Sequence, residues 1–242
     1  MTASGSERAK QCISRELGLW SRHHRRRYVW RQPRFGAFRI LVTEVLLVRT
    51  SAGAVEPVVA KLLARYANAG ALAAARPREL TRYLRPLGLY RKRARALKQL
   101  GRVLSRAHAG RVPTAEAELL ELPYVGRYVA NAVRCFAFDE RVPVVDVNVA
   151  RVLRRVLGIG DSAIRLERDE ELWRAARQAL PQARWKEHNW ALLDLGALVC
   201  RPRRPLCVHC PLKGLCWYAS ASFAALDGPR GRQQPIASKL LG

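Results

Sequence analysis

Acidic residues are scarce in this chain: 19 Asp and Glu stand against 44 Lys and Arg, for a net charge of +25. Such an imbalance points to a polyanionic partner, most simply nucleic acid. Lysine is also scarce, at seven of those 44 positions, a skew read as coding bias of a GC-rich genome rather than as selection for guanidinium chemistry. Long apolar runs are missing, since none approaches the ~18 residues that cross a bilayer. A basic-then-apolar leader is missing too, so no secretory signal is expected. The basic residues are spread along the chain rather than gathered on one amphipathic helix, which argues against a membrane surface as the partner. No segment alternates Val, Ile and Thr between hairpin turns, which excludes a β-sandwich or barrel. With 242 residues and 49% hydrophobic content, the chain can bury one large core or two small ones, and disorder is excluded.

What is present is helical punctuation. Leu41, Val45, Leu46 and Val48, then Val58, Leu62 and Leu63, then Leu97, Leu100 and Leu104 recur at helical spacing. Gly70, Pro77, Pro86, Gly88, Gly110 and Pro113 separate these runs. The expected class is all-α. Composition divides the chain into a polar, basic start to about residue 35, helical stretches over 36–140 and 141–199, a cysteine-rich loop over 200–217, and an aperiodic segment over 223–242 read as a loose tail.

Cys200, Cys207, Cys210 and Cys216 follow the spacing C-x6-C-x2-C-x5-C. A compact cluster of this kind reads as a metal site rather than a disulfide framework. Zinc sites usually bring two close pairs and this loop has one, while four thiolates in one loop can also hold a cubane iron–sulfur cluster. Both readings stay open on chemistry alone. Arg201, Arg203, Arg204 and Lys213 lie within the loop, where they can offset thiolate charge, meet DNA phosphates, or simply be solvated. Cys12 and Cys135 fall outside the set, and Cys135 reads as a buried small hydrophobe.

Leu122-Pro123-Tyr124-Val125-Gly126 precedes the amphipathic run from Arg127 to Phe138. Pro123 stops one helix and Gly126 opens the next, where bare backbone N–H groups can approach a phosphate; a purely structural helix–turn–helix reads the same way. Asp146 sits between Val145 and Val147, which suits a helix N-cap, a poised catalytic carboxylate, or both at once. Glu44 is embedded among Leu41, Val42, Val45, Leu46 and Leu47, with an exposed helical glutamate as the plain alternative.

Taken in this order and spacing, the hairpin, Asp146 and the cysteine loop resemble the helix-hairpin-helix base-excision DNA glycosylases, the family of endonuclease III and the adenine glycosylases. The resemblance spans roughly residues 28–218 and includes Tyr28-Val29-Trp30-Arg31, Glu44 through Thr50, Gly88-Leu89-Tyr90 with Lys92 and Ala94, and Val145-Asp146 with Val149. It implies a six-helix barrel domain with the hairpin over 36–140, and an iron–sulfur cluster domain built from 6–35 and 141–222. DNA lies across the cleft between such domains in the family. It also implies a [4Fe–4S] cluster on the four cysteines, Asp146 as the catalytic carboxylate, and Glu44 and Tyr128 at the base. Arg49, as a wedge, and Leu89, Leu122, Val125, Gly126 and Arg127 are the implied DNA contacts.

Three positions bear on the subfamily. Endonuclease III-like lyases carry Lys where this chain has Tyr128, and adenine glycosylases carry a small hydroxyl residue there and a Gln pair where this chain has Val48-Arg49. Thr43-Glu44-Val45-Leu46-Leu47, Arg49-Thr50 and Tyr128 look like the archaeal mismatch-specific thymine glycosylases. The expected activity is therefore monofunctional release of thymine or uracil opposite guanine from double-stranded DNA, by a cytoplasmic, nucleoid-associated monomer. An adenine glycosylase is the nearest alternative, and a non-enzymatic DNA-binding protein with a redox cluster the next. One departure stands out: the family hairpin usually has Gly where this chain has Tyr124.

Overall fold

A computed structural model describes residues 3–160 and 164–221. The tail assigned to 223–242 lies outside the described residues. Among the described residues every regular element is helical, as the periodicity requires, and no helix is long and apolar enough to cross a membrane. Residues up to Arg26 and from Arg141 onward form one compact unit, the terminal unit, and Arg27–Glu140 form a second, the central unit.

The chain opens in the terminal unit with α1, Ala3–His24. The central unit follows with α2 (Ala37–Leu47), α3 (Ala52–Arg65), α4 (Ala69–Ala74), α5 (Pro77–Leu84), α6 (Tyr90–Ala107), α7 (Glu116–Glu121) and α8 (Arg127–Phe138). Residues 27–35, grouped by sequence with the C-terminal third, fold with this central unit instead. Phe35 packs on the central core, and Tyr28 stacks on the buried Trp30 ring at 4.5 Å. Leu41, Leu46, Leu62, Leu80, Leu97, Leu100 and Leu104 are fully buried there. α4 and α6 approach so closely that a Cβ at Gly101 would lie 2.7 Å from the Ala73 backbone nitrogen, so only glycine fits at that crossing.

The terminal unit resumes with α9 (Val147–Leu157), α10 (Glu170–Ala179) and α11 (Trp185–Leu198). Its core gathers Leu17 from α1, Val149, Leu153 and Val156 from α9, Trp173 from α10 and Leu195 from α11. Asp194, fully buried on α11, accepts from the Arg26 backbone N–H at 3.1 Å and from its Nε at 2.6 Å, which ties the end of α1 to α11.

His188 of α11 is also buried, and burial pushes its pKa down from 6.5 to about 4. An unfolded chain takes up this proton as pH drops below 6.5, whereas the folded protein refuses it until about pH 4. In that window the unfolded state binds more protons, so stability falls as pH falls. From this group alone we expect a loss of roughly 3 kcal/mol between pH 7 and pH 4. Denaturant unfolding of wild type and His188→Gln across that range measures it; identical pH slopes for the two proteins would refute the assignment.

Candidate functional site

In the central unit, α2 is buried on every side from Ile40 to Leu46, and two polar residues are carried inward with it. Thr43 satisfies its hydroxyl by donating to the Arg39 carbonyl at 2.7 Å. Glu44 is only 3% exposed, so the plain alternative of a solvated helical glutamate is ruled out. Its Oε2 accepts from the Tyr128 hydroxyl of α8 at 2.7 Å. A carboxylate taken out of water needs such partners, and α8 supplies one from its second residue.

Two turns of this unit end in exposed side chains on left-handed backbone. Arg49 follows α2 with φ of 57°, and Leu89 precedes α6 with φ of 46° and is 63% exposed. One side chain fastens both turns. The Arg93 guanidinium donates to the carbonyls of Leu46 (3.1 Å) and Val48 (3.3 Å), to the Thr50 hydroxyl (2.5 Å), and through Nε to the Gly88 carbonyl (3.2 Å). Strained conformations of this kind persist when the surroundings over-determine them, and Arg93 does so here.

The hairpin between α7 and α8 answers the question raised by Tyr124. Its φ is 66°, the left-handed region in which glycine is at ease and an aromatic residue is strained, and the ring is 54% exposed. Leu122 and Val125, expected among the DNA contacts, turn their side chains into the hydrophobic core. What these two positions can offer a ligand is backbone. Gly126 is the N-cap of α8 with φ of −100°, open to any residue, and a Cβ there would meet nothing within 4 Å. No protein neighbour demands glycine at 126, and no side chain caps the helix there. Arg127 follows as the first residue of α8, half-buried.

Asp146 belongs to the terminal unit, and of the two roles read for it the capping one is met. As N-cap of α9 its Oδ1 accepts from the backbone N–H groups of Asn148 (2.9 Å) and Val149 (2.8 Å), while Oδ2 accepts from Asn148 Nδ2 at 2.8 Å. The extended approach to it is held by Asn189 of α11, whose amide accepts from Val144 N–H (2.9 Å) and donates to the Val142 carbonyl (3.0 Å). Asn148 Oδ1 accepts in turn from Arg151 Nη2 at 3.0 Å. Arg151 also donates to the carbonyls of Gly196 and Cys200, each at 2.7 Å. A Cβ at Gly196 would lie 2.9 Å from the Asn148 backbone oxygen, so glycine is what lets α11 lie against the first turn of α9.

The four cysteines line one pocket with Val152, Val156 and Leu195, and no disulfide involves them. Cys200 follows α11, Cys207 and Cys210 bracket a 3-10 turn, and Cys216 follows another. Arg155 of α9 spans the loop, donating to Cys200 Sγ (3.4 Å) and to the carbonyls of Arg201 (2.7 Å) and Pro202 (2.8 Å). Burial pushes the Cys210 thiol up to about 11 and raises that of Cys216, and the neighbouring cysteines add to both shifts. Among the described residues no group of three or more His, Cys, Asp or Glu is gathered closely enough to hold a metal ion as the side chains stand.

The structure thus joins Glu44 to Tyr128 in one unit, and Asp146 to the cysteine loop through Asn148 and Arg151 in the other. Arg93, Asn148, Arg151, Asn189 and Gly196 escape sequence reasoning. Only the spacing of Asn148 and Arg151, one helical turn apart behind Asp146, carries a local signal.

Comparison with known proteins bears on this arrangement. Residues 42–178 match the HhH-GPD superfamily base excision DNA repair proteins. A thymine/uracil-DNA glycosylase of Methanothermobacter thermautotrophicus is 33% identical over 218 residues, covering 90% of this chain and 97% of that protein. An adenine DNA glycosylase of Mycolicibacterium smegmatis is 39% identical over 232 residues, covering 93% of this chain and 78% of that one. Among solved structures, a thermostable thymine-DNA glycosylase superposes with a TM-score of 0.82 at 31% identity, over 89% of this chain and 98% of its own. A family match over more than half the chain, with relatives aligned along nearly its whole length, leads to one conclusion: this chain belongs to the HhH-GPD superfamily of base excision DNA repair proteins.

Proposed function

We propose that the protein is a monofunctional DNA glycosylase that releases thymine or uracil mispaired with guanine. The observation that carries this reading is the Tyr128 hydroxyl on buried Glu44 at 2.7 Å. A phenol at that position cannot form a Schiff base with the sugar, so strand cleavage by an amine nucleophile is closed to it. Glu44 offers an acceptor for the N3–H of a flipped pyrimidine, and the Tyr128 ring offers a wall for it. Arg49 is the side chain for the gap left in the stack. The N-cap of α8 at Gly126, with room for a close approach, suits a backbone phosphate.

In the reaction the C1′–N1 bond breaks with its electron pair leaving on the base, while water attacks C1′ and loses a proton to solvent, from which the released pyrimidine anion takes one up. Positive charge develops on the sugar, which a fixed carboxylate stabilises. Asp146 is our choice for that carboxylate, because three hydrogen bonds from the start of α9 hold its orientation before any substrate arrives. Adenine release is the second reading, favoured by the 39% identity to an adenine glycosylase.

Cys200, Cys207, Cys210 and Cys216 are our candidates for the ligands of a [4Fe–4S] cluster, and the donor set fits it. Four thiolates at neutral pH need a cationic centre, since burial and mutual repulsion disfavour them otherwise. A single tetrahedral zinc would draw the sulfurs to ~3.8 Å of one another. The same four thiolates suit either centre, and metal and acid-labile sulfide analysis tells them apart. When bound, the cluster supplies a covalent cross-link that fixes the loop.

Three outcomes are expected. Single-turnover assays should show uracil or thymine released from G·U and G·T duplexes, with Asp146→Asn slower by about 10²–10³-fold or more and no borohydride-trapped adduct; faster adenine release from A·8-oxoguanine would move the assignment to the second reading. Anaerobically purified protein should be yellow-brown with about four iron and four acid-labile sulfide per chain, and one zinc without sulfide would overturn the cluster. Finally, two glycines should separate. Gly196→Ala should cost about 1–3 kcal/mol of stability through overpacking against α9. Gly126→Ala should stay within about 1 kcal/mol of wild type while weakening DNA binding, as equilibrium unfolding and anisotropy titration will read.

A further inference from the structure

Arg93 of α6 serves two segments of the central unit at once. Its guanidinium reaches the Leu46 and Val48 carbonyls and the Thr50 hydroxyl at the end of α2, and its Nε reaches the Gly88 carbonyl ahead of α6. Val48 and Thr50 flank Arg49, and Gly88 precedes Leu89. One planar group therefore grips the backbone beside both exposed tips, although the tips are far apart in sequence.

None of these four acceptors is a carboxylate, and burial pushes the Arg93 pKa down, so the contact is one of geometry rather than of charge pairing. Four acceptors in two segments need donors set apart in one plane, which a guanidinium has and an ammonium lacks. What Arg93 holds is costly to hold. Both tips have left-handed backbone, with φ of 57° at Arg49 and 46° at Leu89, and their side chains face solvent. A long polar chain and an apolar one, presented together, match the two defects that extruding a base creates. One strand is left with a gap in its stack, and the other with an unpaired base. Side chains on separately mobile turns would each have to be ordered on insertion, whereas turns tied during folding meet that cost in advance.

On the reading that this chain flips a mispaired base out of the duplex, whichever base that is, we propose that Arg93 is a positioning residue that ties Arg49 and Leu89 into one paired probe. It acts on extrusion of the base and not on breaking its bond. Among the described residues its hydrogen bonds share no partner with those of Asp146, our candidate for the bond-breaking step.

The test uses the full chain and a G·U duplex with 2-aminopurine beside the uracil, whose fluorescence rises as the stack opens. Stopped-flow fluorescence reads extrusion, and quenched single-turnover samples read uracil release. Arg93→Met should lower the extruded fraction about tenfold to hundredfold. Arg93→Lys, which keeps the charge without the fork, should lose nearly as much, and Thr50→Val, which removes one acceptor, about threefold. Should Arg93→Met fail to fold, the other two variants, at unchanged melting temperature, carry the same comparison. A merely structural role would not change how the tips depend on each other. In wild type, Arg49→Ala and Leu89→Ala should each cost about as much as both together, since groups that act as one unit are not additive. In the Arg93→Lys background their losses should multiply. Extrusion by Arg93→Lys equal to that of wild type would overturn the proposal, as would tip losses that multiply in wild type, or slowed release with extrusion unchanged. Wild type that opens none of the G·U, G·T and A·8-oxoguanine duplexes would overturn the flipping reading itself, and the role of Arg93 with it.

Discussion

The closeness of α11 to α9 is the constraint on which the carboxylate end of the terminal unit depends. Without a side chain at Gly196, the backbone of α11 meets Asn148 directly. That approach puts the Gly196 carbonyl within 2.7 Å of Arg151, which then holds Asn148, which holds Asp146. Each step is a hydrogen bond to a group that is itself held. A side chain with rotational freedom thereby acquires a single orientation, with both carboxylate oxygens engaged before any substrate is present. For the catalytic role we propose for Asp146, such pre-organisation matters because a carboxylate already oriented costs nothing further at the moment of reaction.

The central unit solves a related problem differently. Glu44 rides on a helix buried on every side, so its carboxylate cannot remain hydrated, and Tyr128 reaches it from α8. The exposed tips at Arg49, Leu89 and Tyr124 carry the opposite strain: their backbones sit in the left-handed region while their side chains face solvent. Folding alone gives no reason to keep large side chains there. Their geometry makes sense for groups presented outward, and Arg93 stabilises two of the three tips from beneath.

What was legible in the sequence was local. Helix existence, the break at Pro123, the capping position of Asp146 and the cysteine spacing all rest on neighbours within a few residues. Glu44 was legible as unusual because too many of its neighbours are apolar for an exposed face. The networks around Asp146 and beneath Arg49 were not legible, since Asn189 meets Val144 across 45 residues and Arg93 meets Leu46 across 47. Such pairs leave no periodic trace in one sequence. Tyr124 shows the boundary well: the departure from glycine was visible, but the left-handed backbone that gives it meaning belongs to the folded hairpin.

The arginines themselves change meaning once folded. Coding bias accounts for their number, yet not for their use. With so few acids in the chain, only some of these guanidinium groups have carboxylates to meet, as Arg26 does at Asp194 and Arg154 at Asp169. Others turn to the carbonyls at helix C-termini, which are left without intrahelical partners and carry the negative end of the helix dipole. Arg93 closes the end of α2, Arg141 the end of α10, and Arg151 and Arg155 the end of α11 and the loop beyond it. A planar fork with five donors can span two or three carbonyls at once, which an ammonium cannot do with the same geometry. An acid-poor chain thus makes its own backbone the counter-anion. Guanidinium groups at the ends of α2 and α11 stabilise the turn that carries Arg49 and the cysteine loop, while Arg49 itself stays exposed at the surface.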